Sequence, residues 1–322
     1  MEIRQLGNNV GAEISGMALS RLLEDVSSKA SRAVSSKASR AVSSKASRDV
    51  SSKASSAVSS KASRDAGSAL HQAWLDHIVL RIRRQQLTDD QLKRFSARFG
   101  ELEYAPMGRI TDEERARLRN PFVTVISNIV EDGRPIGGLG SDEAAWHTDM
   151  SYIELPPKAS LLYAVEVPPV GGDTHFANMY AAYDALPDDL KERIARLLLK
   201  HDAAHTSVGQ LRRGFQHALT PVDAPGAIHP IVRTHDETGR KCLFLGRRKD
   251  AYVVGLSLEE SEMLLDRIWR YATLPQNCWT QHWQVGDVVI WDNRCAMHRR
   301  DGFAEDARRL MRRTQIKGER VM

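Results

Sequence analysis

The chain has 322 residues, of which 42% are hydrophobic and 27% are charged. This balance is typical of a soluble globular protein with one large or two small domains. No run of about 18 apolar residues occurs, so we expect no membrane-spanning helix, and the N-terminal residues do not resemble a secretory signal. The three cysteines, Cys242, Cys278 and Cys295, form neither a CxxC pair nor an even set, so we expect reduced thiols in a cytoplasmic protein.

The net charge of +5 is concentrated in a repeat of eight residues. Residues 26–65 contain five variants of VSSKASRA with a net charge of +7, which leaves −2 for the remaining chain. An eight-residue period advances a helix by about 80° beyond two turns, so the valines form no apolar stripe. We expect a flexible, low-complexity basic insertion within a single domain of residues 1–25 and 66–322. Nucleic acid is a disfavoured partner because no aromatic residues are interleaved for base stacking.

Helices and a strand are predicted around the repeat. Before it, ISGMALSRLLED indicates a strand end and a helix start. After it, SALHQAWLDHIVLRIR predicts a helix with Leu70 and Trp74 on one face, followed by a strand over 78–82. The next segment, LTDDQLKRFSARFG, has a capping box in which Thr88 and Gln91 begin a helix. That helix places Leu92, Phe95 and Phe99 on one face and ends at Gly100.

Short apolar strands dominate from residue 121 onward. They are predicted in FVTVISNIV, ASLLYAVEV, HPIVRTH, KCLFLG and DVVIWDN, which are rich in β-branched and aromatic residues. DDLKERIARLLLKH predicts a helix with an apolar face of Leu190, Ile194, Leu197 and Leu198. SLEESEMLLDRIWRYA predicts another, with a capping box of Ser257 and Glu260. Strands and helices do not alternate regularly, so we predict a mainly β jelly roll with flanking helices.

The stretch AWHTDMSY contains a candidate metal site. If it is a strand, alternation places His147 and Asp149 on one face, where they can take adjacent corners of a metal octahedron. A third ligand completes the two-histidine, one-carboxylate pattern that suits Fe(II) and O2 chemistry. His298, which follows the strand DVVIWDN and a turn, is our prediction for this ligand. The alternative is that a histidine packs in the core or faces water, as an isolated imidazole more often does. His235, in the His-Asp-Glu run at 235–237, is interpreted as solvated surface.

Two further segments contain candidate anion-binding residues. Thr174 follows a glycine turn in PPVGGDTHF. In DARRLMRRTQIKG, strand alternation places Arg309 and Arg313 on the same face as Met311, whereas Arg308 and Arg312 fit a solvated edge. A buried arginine is costly without an anion, and a guanidinium suits carboxylate recognition.

These segments together resemble the taurine dioxygenase / chlorophenoxyacetate dioxygenase (TauD/TfdA) family of Fe(II)- and 2-oxoglutarate-dependent oxygenases. The resemblance covers nearly the whole chain outside the repeat, in the family's order, and comprises LGNNVGAEISGMAL, RFGELE, AWHTDMSY, PPVGGDTHFANMYAAYDALP, HPIVRTHDETGRK, GDVVIWDNRCAMHR and RRLMRRTQI. It implies a double-stranded β-helix fold, iron and O2 as cofactors, and 2-oxoglutarate as co-substrate, which is oxidatively decarboxylated to succinate and CO2. Dimers or tetramers are common in this family.

The resemblance also implies roles for individual residues. His147, Asp149 and His298 would bind iron, and Thr174 and Arg309 would hold the distal carboxylate of 2-oxoglutarate. Arg313 would pair with the acidic group of the substrate.

The substrate expected from the resemblance is a small organic anion of the aryloxyalkanoate, sulfonate or sulfate ester type. Taurine itself is disfavoured, because FGELEYAP has Glu103, Tyr104 and Ala105 where the taurine enzymes have a sulfonate-binding histidine. The segments SNIVEDG, KCLFLGRR and WDNRCAMHR are more similar to the chlorophenoxyacetate enzymes.

Three rival functions are weighed against this one. Asp149 disfavours a halogenase, which would lack the carboxylate ligand. The alternatives are a zinc-dependent hydrolase, which can use two histidines and a carboxylate, and a non-catalytic jelly-roll metal-binding protein.

Overall fold

The computed structural model describes residues 1–20, 67–105, 113 and 120–322. The octapeptide repeat at 26–65 lies outside these ranges, so the insertion and the domain bounds beside it stay predictions. Among the described helices, none has the length and apolar content to cross a bilayer.

The described elements are numbered here in chain order. The strands are β1 Glu2–Gln5, β2 Ala12–Ser15, β3 Val79–Ile82, β4 Leu102–Glu103, β5 Thr124–Ser127, β6 Val130–Glu131, β7 Arg134–Pro135, β8 Gly138–Leu139, β9 Ala144–His147, β10 Ala159–Glu166, β11 Thr174–Asn178, β12 Leu198–Lys200, β13 Ile228–Pro230, β14 Val232–Thr234, β15 Lys241–Leu243, β16 Tyr252–Val253, β17 Cys278–Gln281, β18 Val288–Asp292, β19 Ala296–Arg300 and β20 Leu310–Ile316. The helices are α1 Asp89–Ser96, α2 Met179–Asp184, α3 Asp188–Ile194 and α4 Leu258–Ala272, with a 3-10 helix at Pro275–Asn277. Residues 67–77 are also helical.

Two sheets form the centre of the described structure. The larger has the order β1-β2-β3-β18-β10-β20-β5-β8, with β4 beside β20, and the smaller has the order β17-β11-β19-β9. One apolar core joins them: Phe176 and Met297 of the small sheet belong to the same buried cluster as Leu162, Trp291 and Met311 of the large sheet. This pair of mainly antiparallel sheets is the double-stranded β-helix, or jelly roll, that the sequence predicts.

Helices cover the outer face of the large sheet. Leu70 and Trp74 of the helical segment 67–77, with Phe95 of α1, pack in a second core against Leu80 and Ile290 of that sheet. Both predicted capping boxes are confirmed, at Thr88–Gln91 and at Ser257–Glu260. The central strands β3, β18 and β10 of the large sheet are therefore buried on both faces.

Three predicted element boundaries are wrong. The helix expected to include Phe99 and to end at Gly100 already ends at Ser96, and the other two cases are a helix end and a strand start. The helix expected to include Leu197 and Leu198 ends at Ile194. Leu198 instead begins β12, which pairs with β13 and β16, and its side chain is 43% exposed. The strand expected over 78–82 begins at Val79, because Ile78 adopts a left-handed φ of 67° as the chain leaves the preceding helix. At Leu198, pairing in the sheet overrides the local apolar pattern that favours a helix.

Candidate active site

Two neighbouring strands of the small sheet bring the predicted histidines together. His298 of β19 lies directly opposite His147 of β9 in the antiparallel register. Their ring centroids are 4.1 Å apart, and both side chains are buried. These two residues, 151 positions apart in the chain, are therefore adjacent because β9 and β19 pair.

Asp149 reaches the histidines from a turn rather than from a strand. β9 ends at His147, so the prediction that both residues alternate along one strand is wrong. The turn is fixed by Asn293, whose side chain accepts from the Asp149 backbone N–H at 2.9 Å and donates to the Asp149 and Pro157 carbonyls at 2.8 Å. Ser160 donates to Asp149 Oδ2 at 2.7 Å. Asp149 therefore has a defined position although it lies outside regular structure.

The three side chains form a compact set of ligand atoms. One nitrogen of each histidine and one Asp149 oxygen lie within 4.8 Å of one another, and His147 Nε2 is 3.7 Å from Asp149 Oδ1. His147 Nδ1 donates to the Ala145 carbonyl at 2.7 Å, so its Nε2 carries the free lone pair. His298 Nδ1 is buried without a partner among the described residues. Two imidazoles and one carboxylate are the donor set that suits non-haem Fe(II).

The electrostatics of the set favour the forms of these side chains that bind metal ions. Burial raises the pKa of Asp149, but the charge of Arg313 and the two histidines outweigh it and hold this pKa well below its ordinary range. Burial, with the neighbouring His147, lowers the pKa of His298 to about 3. The carboxylate is therefore ionised and the His298 imidazole is neutral at neutral pH.

The three residues lie in the wall of a cavity of about 400 Å³. This volume is within the usual range for a small-molecule site. The described lining residues include arginines from several parts of the fold, namely Arg212, Arg247, Arg300, Arg309 and Arg313, and one carboxylate, Asp149. Apolar side chains contribute the remaining wall, among them Val125, Ile126, Leu139, Met150, Leu162 and Trp291. The cavity therefore suits a molecule with acidic groups and an apolar body.

Thr174 lines this cavity at the start of β11. Its side chain is buried, and its Oγ1 accepts a hydrogen bond from Trp283 Nε1 at 3.0 Å. Because the indole N–H is bound to a lone pair of Oγ1, the hydroxyl proton of Thr174 is free to point toward a ligand. Thr174 can therefore donate to an anion in the cavity.

Arg309 is a buried cation without a carboxylate partner among the described residues. Its side chain is 2% exposed, and its Nε has no hydrogen-bond partner there. Burial, followed by repulsion from Arg300, lowers its pKa to about 9. Its backbone is anchored by Asn128, which accepts from the N–H, and by Ser127, which donates to the carbonyl. A guanidinium held in this way needs an anion to compensate its burial.

Arg313 lies beside the candidate metal ligands. Its Nη1 is 3.3 Å from Asp149 Oδ1, and its side chain is buried. By contrast, Arg308 is exposed and pairs with Glu166 at 2.8 Å, and Arg312 is 3.6 Å from Asp89. The predicted grouping is confirmed, because Arg309 and Arg313 share the cavity and the other two arginines do not. Arg308 and Arg309 precede β20, which begins at Leu310, so the four arginines do not all lie on one strand.

Three cavity arginines were not among the sequence predictions. Arg300 follows His298 by two positions in β19, so strand alternation could have placed it on the same face. Its guanidinium donates to the carbonyls of Leu139 and Asp142. Arg212 and Arg247 come from two segments outside the strands, and no periodic pattern relates them to the site.

His235 is buried, and its interpretation as solvated surface is wrong. Its side chain is 0% exposed, and its Nε2 lies 3.0 Å from Asp292 Oδ2. Arg294 binds the same carboxylate at 2.7 Å and also contacts Asp236 and Glu237. The polar run 235–237 is therefore part of an ion-pair network at the turn that joins β18 to β19.

Comparisons with known proteins agree with this geometry. The model of the family described as taurine catabolism dioxygenase TauD, TfdA family matches residues 49–315. The alpha-ketoglutarate-dependent 2,4-dichlorophenoxyacetate dioxygenase of Cupriavidus pinatubonensis is 37% identical over 259 residues, 76% of this chain and 86% of the relative. The (S)-phenoxypropionate/alpha-ketoglutarate-dioxygenase of Sphingobium herbicidovorans is 34% identical over 256 residues, 78% of this chain and 85% of the relative.

A solved structure supports the same assignment. The crystal structure of AAD-2 in complex with Mn(II) and N-oxalylglycine matches with a TM-score of 0.72 and 27% identity, covering 100% of this chain and 99% of the other. The chain therefore belongs to the TauD/TfdA family of alpha-ketoglutarate-dependent dioxygenases.

Proposed function

We propose that this protein is an Fe(II)- and 2-oxoglutarate-dependent dioxygenase that hydroxylates a small anionic organic molecule. The observation that carries the proposal is that the triad of His147, Asp149 and His298 shares one cavity with Thr174 and the arginines. The triad fits iron by its donor set and by the free Nε2 of His147. When bound, Fe(II) supplies the activation of O2 that drives decarboxylation of 2-oxoglutarate to succinate and CO2 and oxidation of the substrate.

Thr174 and Arg309 are suited to hold the distal carboxylate of 2-oxoglutarate. Arg309 contributes a buried guanidinium without a carboxylate partner in the described chain, and Thr174 contributes a hydroxyl whose acceptor site is taken by Trp283. An incoming carboxylate would receive charge-assisted hydrogen bonds from both. Burial strengthens these contacts because little water competes for them.

Arg313 is suited to hold the acidic group of the prime substrate. It lies 3.3 Å from Asp149, so an anion bound to it would be adjacent to the metal ligands. The apolar wall of the cavity would contact the carbon skeleton and exclude water. An aryloxyalkanoate, a sulfonate or a sulfate ester has this combination of charge and apolar body. The two relatives named above act on phenoxyalkanoates according to their names, which favours a carboxylate.

A cytoplasmic location accompanies this function in our proposal. Cys242, Cys278 and Cys295 are all free thiols, as expected for a reducing compartment.

An anaerobic titration tests the proposed function. Fe(II) and 2-oxoglutarate added together should produce a weak visible absorption band, and admission of O2 should yield succinate. His298→Ala should abolish both signals. The matched control is His282→Ala, because His282 is an exposed histidine that pairs only with Asp173 among the described residues. Zn(II)-dependent hydrolysis with no band, or equal signals from the two variants, would reject the assignment.

A further inference from the structure

One wall of the cavity contains two arginines that the proposed binding of 2-oxoglutarate does not use. Arg212 and Arg247 both lie over the ring of Tyr152, with guanidinium carbons 4.2 Å and 5.1 Å from the ring centroid. All three residues line the same cavity as the iron ligands. Tyr152 follows Asp149 by three positions, so this wall is next to the metal site.

Arg247 is buried without full compensation. Its side chain is 6% exposed, its Nη1 donates to the carbonyls of Asp202 and His205, and its Nε has no partner in the described chain. Burial, with repulsion from Arg212, lowers its pKa to about 10. Backbone carbonyls orient this guanidinium, but they carry no net charge to neutralise it.

The carboxylates close to this pair are already engaged. Asp202 accepts from the Ala204 N–H through Oδ1 at 2.6 Å and contacts His205 through Oδ2 at 2.8 Å. Asp250 lies 3.4 Å from the same His205 nitrogen. Among the described residues, neither Arg212 nor Arg247 forms an ion pair, although Arg212 Nε donates to the His205 carbonyl. This cavity wall therefore has positive charge that no ion pair neutralises.

The net charge of the whole cavity is also positive. Its described lining has five arginines and one carboxylate, a net charge of +4 with neutral histidines. Fe(II) and the 2-oxoglutarate dianion cancel one another, so they leave this charge unchanged. A substrate with a single acidic group on Arg313 would leave Arg212 and Arg247 without an anion.

We propose that Arg212 and Arg247 form a second anion-binding subsite, and that the prime substrate is a small organic dianion. One acidic group is held by Arg313 and the other by this pair, with Met150 and Leu139 among the apolar residues beside the carbon skeleton. This inference rests on the proposed function, because that function defines where in the cavity the substrate is oxidised. A guanidinium pair favours a carboxylate, sulfonate or sulfate at the second position.

A matched pair of compounds tests the subsite. The probes are 4-carboxyphenoxyacetate and 4-carbamoylphenoxyacetate, which have nearly the same size and differ by one negative charge. Calorimetric titration into the protein loaded with Fe(II) and 2-oxoglutarate under argon should show the dianion binding roughly tenfold or more tightly, as expected for charge-assisted hydrogen bonds in a buried site.

Variants separate binding from a structural role. Arg247→Gln and Arg212→Gln should each remove most of the preference for the dianion while leaving the affinity for the amide nearly unchanged. Arg213→Gln, at an exposed neighbouring position, is the control and should retain the preference. Arg212 is only partly buried, so its variant tests the proposal even if Arg247→Gln fails to fold.

Three results would overturn the subsite. The first is equal affinity of the wild-type protein for the two probes, including no binding of either at millimolar concentration. The second is a preference for the dianion that survives in the Arg212 variant. The third is a parallel loss of affinity for both probes in the variants, which would mean that the arginines only maintain the structure of the cavity wall. Failure of the subsite and failure of the proposed function give different results. If the proposed function fails, Fe(II) and 2-oxoglutarate produce no visible band, and the titrations of the two probes can still be repeated without metal. If only the subsite fails, the band is normal and the two probes have equal dissociation constants.

Discussion

Replacement of Arg309 by methionine is predicted to stabilise the ligand-free protein while removing its affinity for 2-oxoglutarate. The guanidinium is 2% exposed, and burial lowers its pKa to about 9. This lowering of the pKa from 12.5 corresponds to roughly 5 kcal/mol of unfavourable interaction with the charged form. Because the pKa is lowered, the penalty is present in full at any pH below about 9 and diminishes as the pH rises above it.

The expected gain is smaller than that figure because methionine must also pack well. Arg309 lies near the ring of Phe303, at 6.0 Å, and its Cδ would lie 3.6 Å from a Cβ built on Gly172. An unbranched apolar side chain can occupy this space. Replacing buried charge by apolar groups of similar volume often stabilises by about 1–4 kcal/mol, so we expect Arg309→Met to raise the free energy of unfolding within that range.

The same change should weaken 2-oxoglutarate binding by a few hundredfold, since loss of one partner from a buried charge pair costs on the order of 3–5 kcal/mol. Urea unfolding at pH 7 without ligands measures the first effect, and calorimetry with Fe(II) under argon measures the second. Arg308→Met is the control, because Arg308 is exposed and paired with Glu166. The reasoning is refuted if Arg309→Met destabilises the ligand-free protein and still binds 2-oxoglutarate normally.

Four further perturbations test particular features of the protein. Trp283→Phe removes the indole donor to Thr174 and should raise the Michaelis constant for 2-oxoglutarate several-fold with little change in kcat, as steady-state kinetics would show. His235→Ala removes a buried partner of Asp292 and should lower the free energy of unfolding by about 1–3 kcal/mol in urea denaturation. The ion pair with Arg294 and the contact with His235 hold the pKa of Asp292 below its ordinary value, so thermal melting should show wild-type stability falling as the pH drops below about 4. Deletion of residues 26–65 should leave calorimetric 2-oxoglutarate affinity unchanged, because the described cavity residues lie elsewhere; a tenfold loss would contradict this.

The main elements could be predicted because local patterns specify them. The capping boxes at Thr88 and Ser257 satisfy backbone donors within four residues, so the sequence is sufficient to place those helix starts. His147 and His298 lie in segments with strong strand patterns. The pairing of β9 and β19 places them opposite one another, and the family resemblance anticipated this although no local signal did.

The features that were missed depend on contacts distant in sequence. Asp149 is positioned by Asn293, 144 residues away, so alternation within its own segment gave the wrong geometry. His235 reads as a polar turn until Asp292 and Arg294 are placed beside it. Arg212 and Arg247 meet over Tyr152 from separate segments outside the strands, and only the tertiary structure relates them.

Hydrogen bonds within the fold hold Asp149 in position at the candidate metal site. Ser160 holds Oδ2 at 2.7 Å, Arg313 lies 3.3 Å from Oδ1, and Asn293 fixes the backbone on both sides of the carboxylate. His147 is oriented by its own bond to the Ala145 carbonyl. Because these bonds fix the side chains through the fold itself, the ion does not have to offset the entropy of ordering them. Arg313 also partly balances the charge of Asp149, so the same arginine connects the ionised form of this carboxylate to the proposed recognition of the substrate.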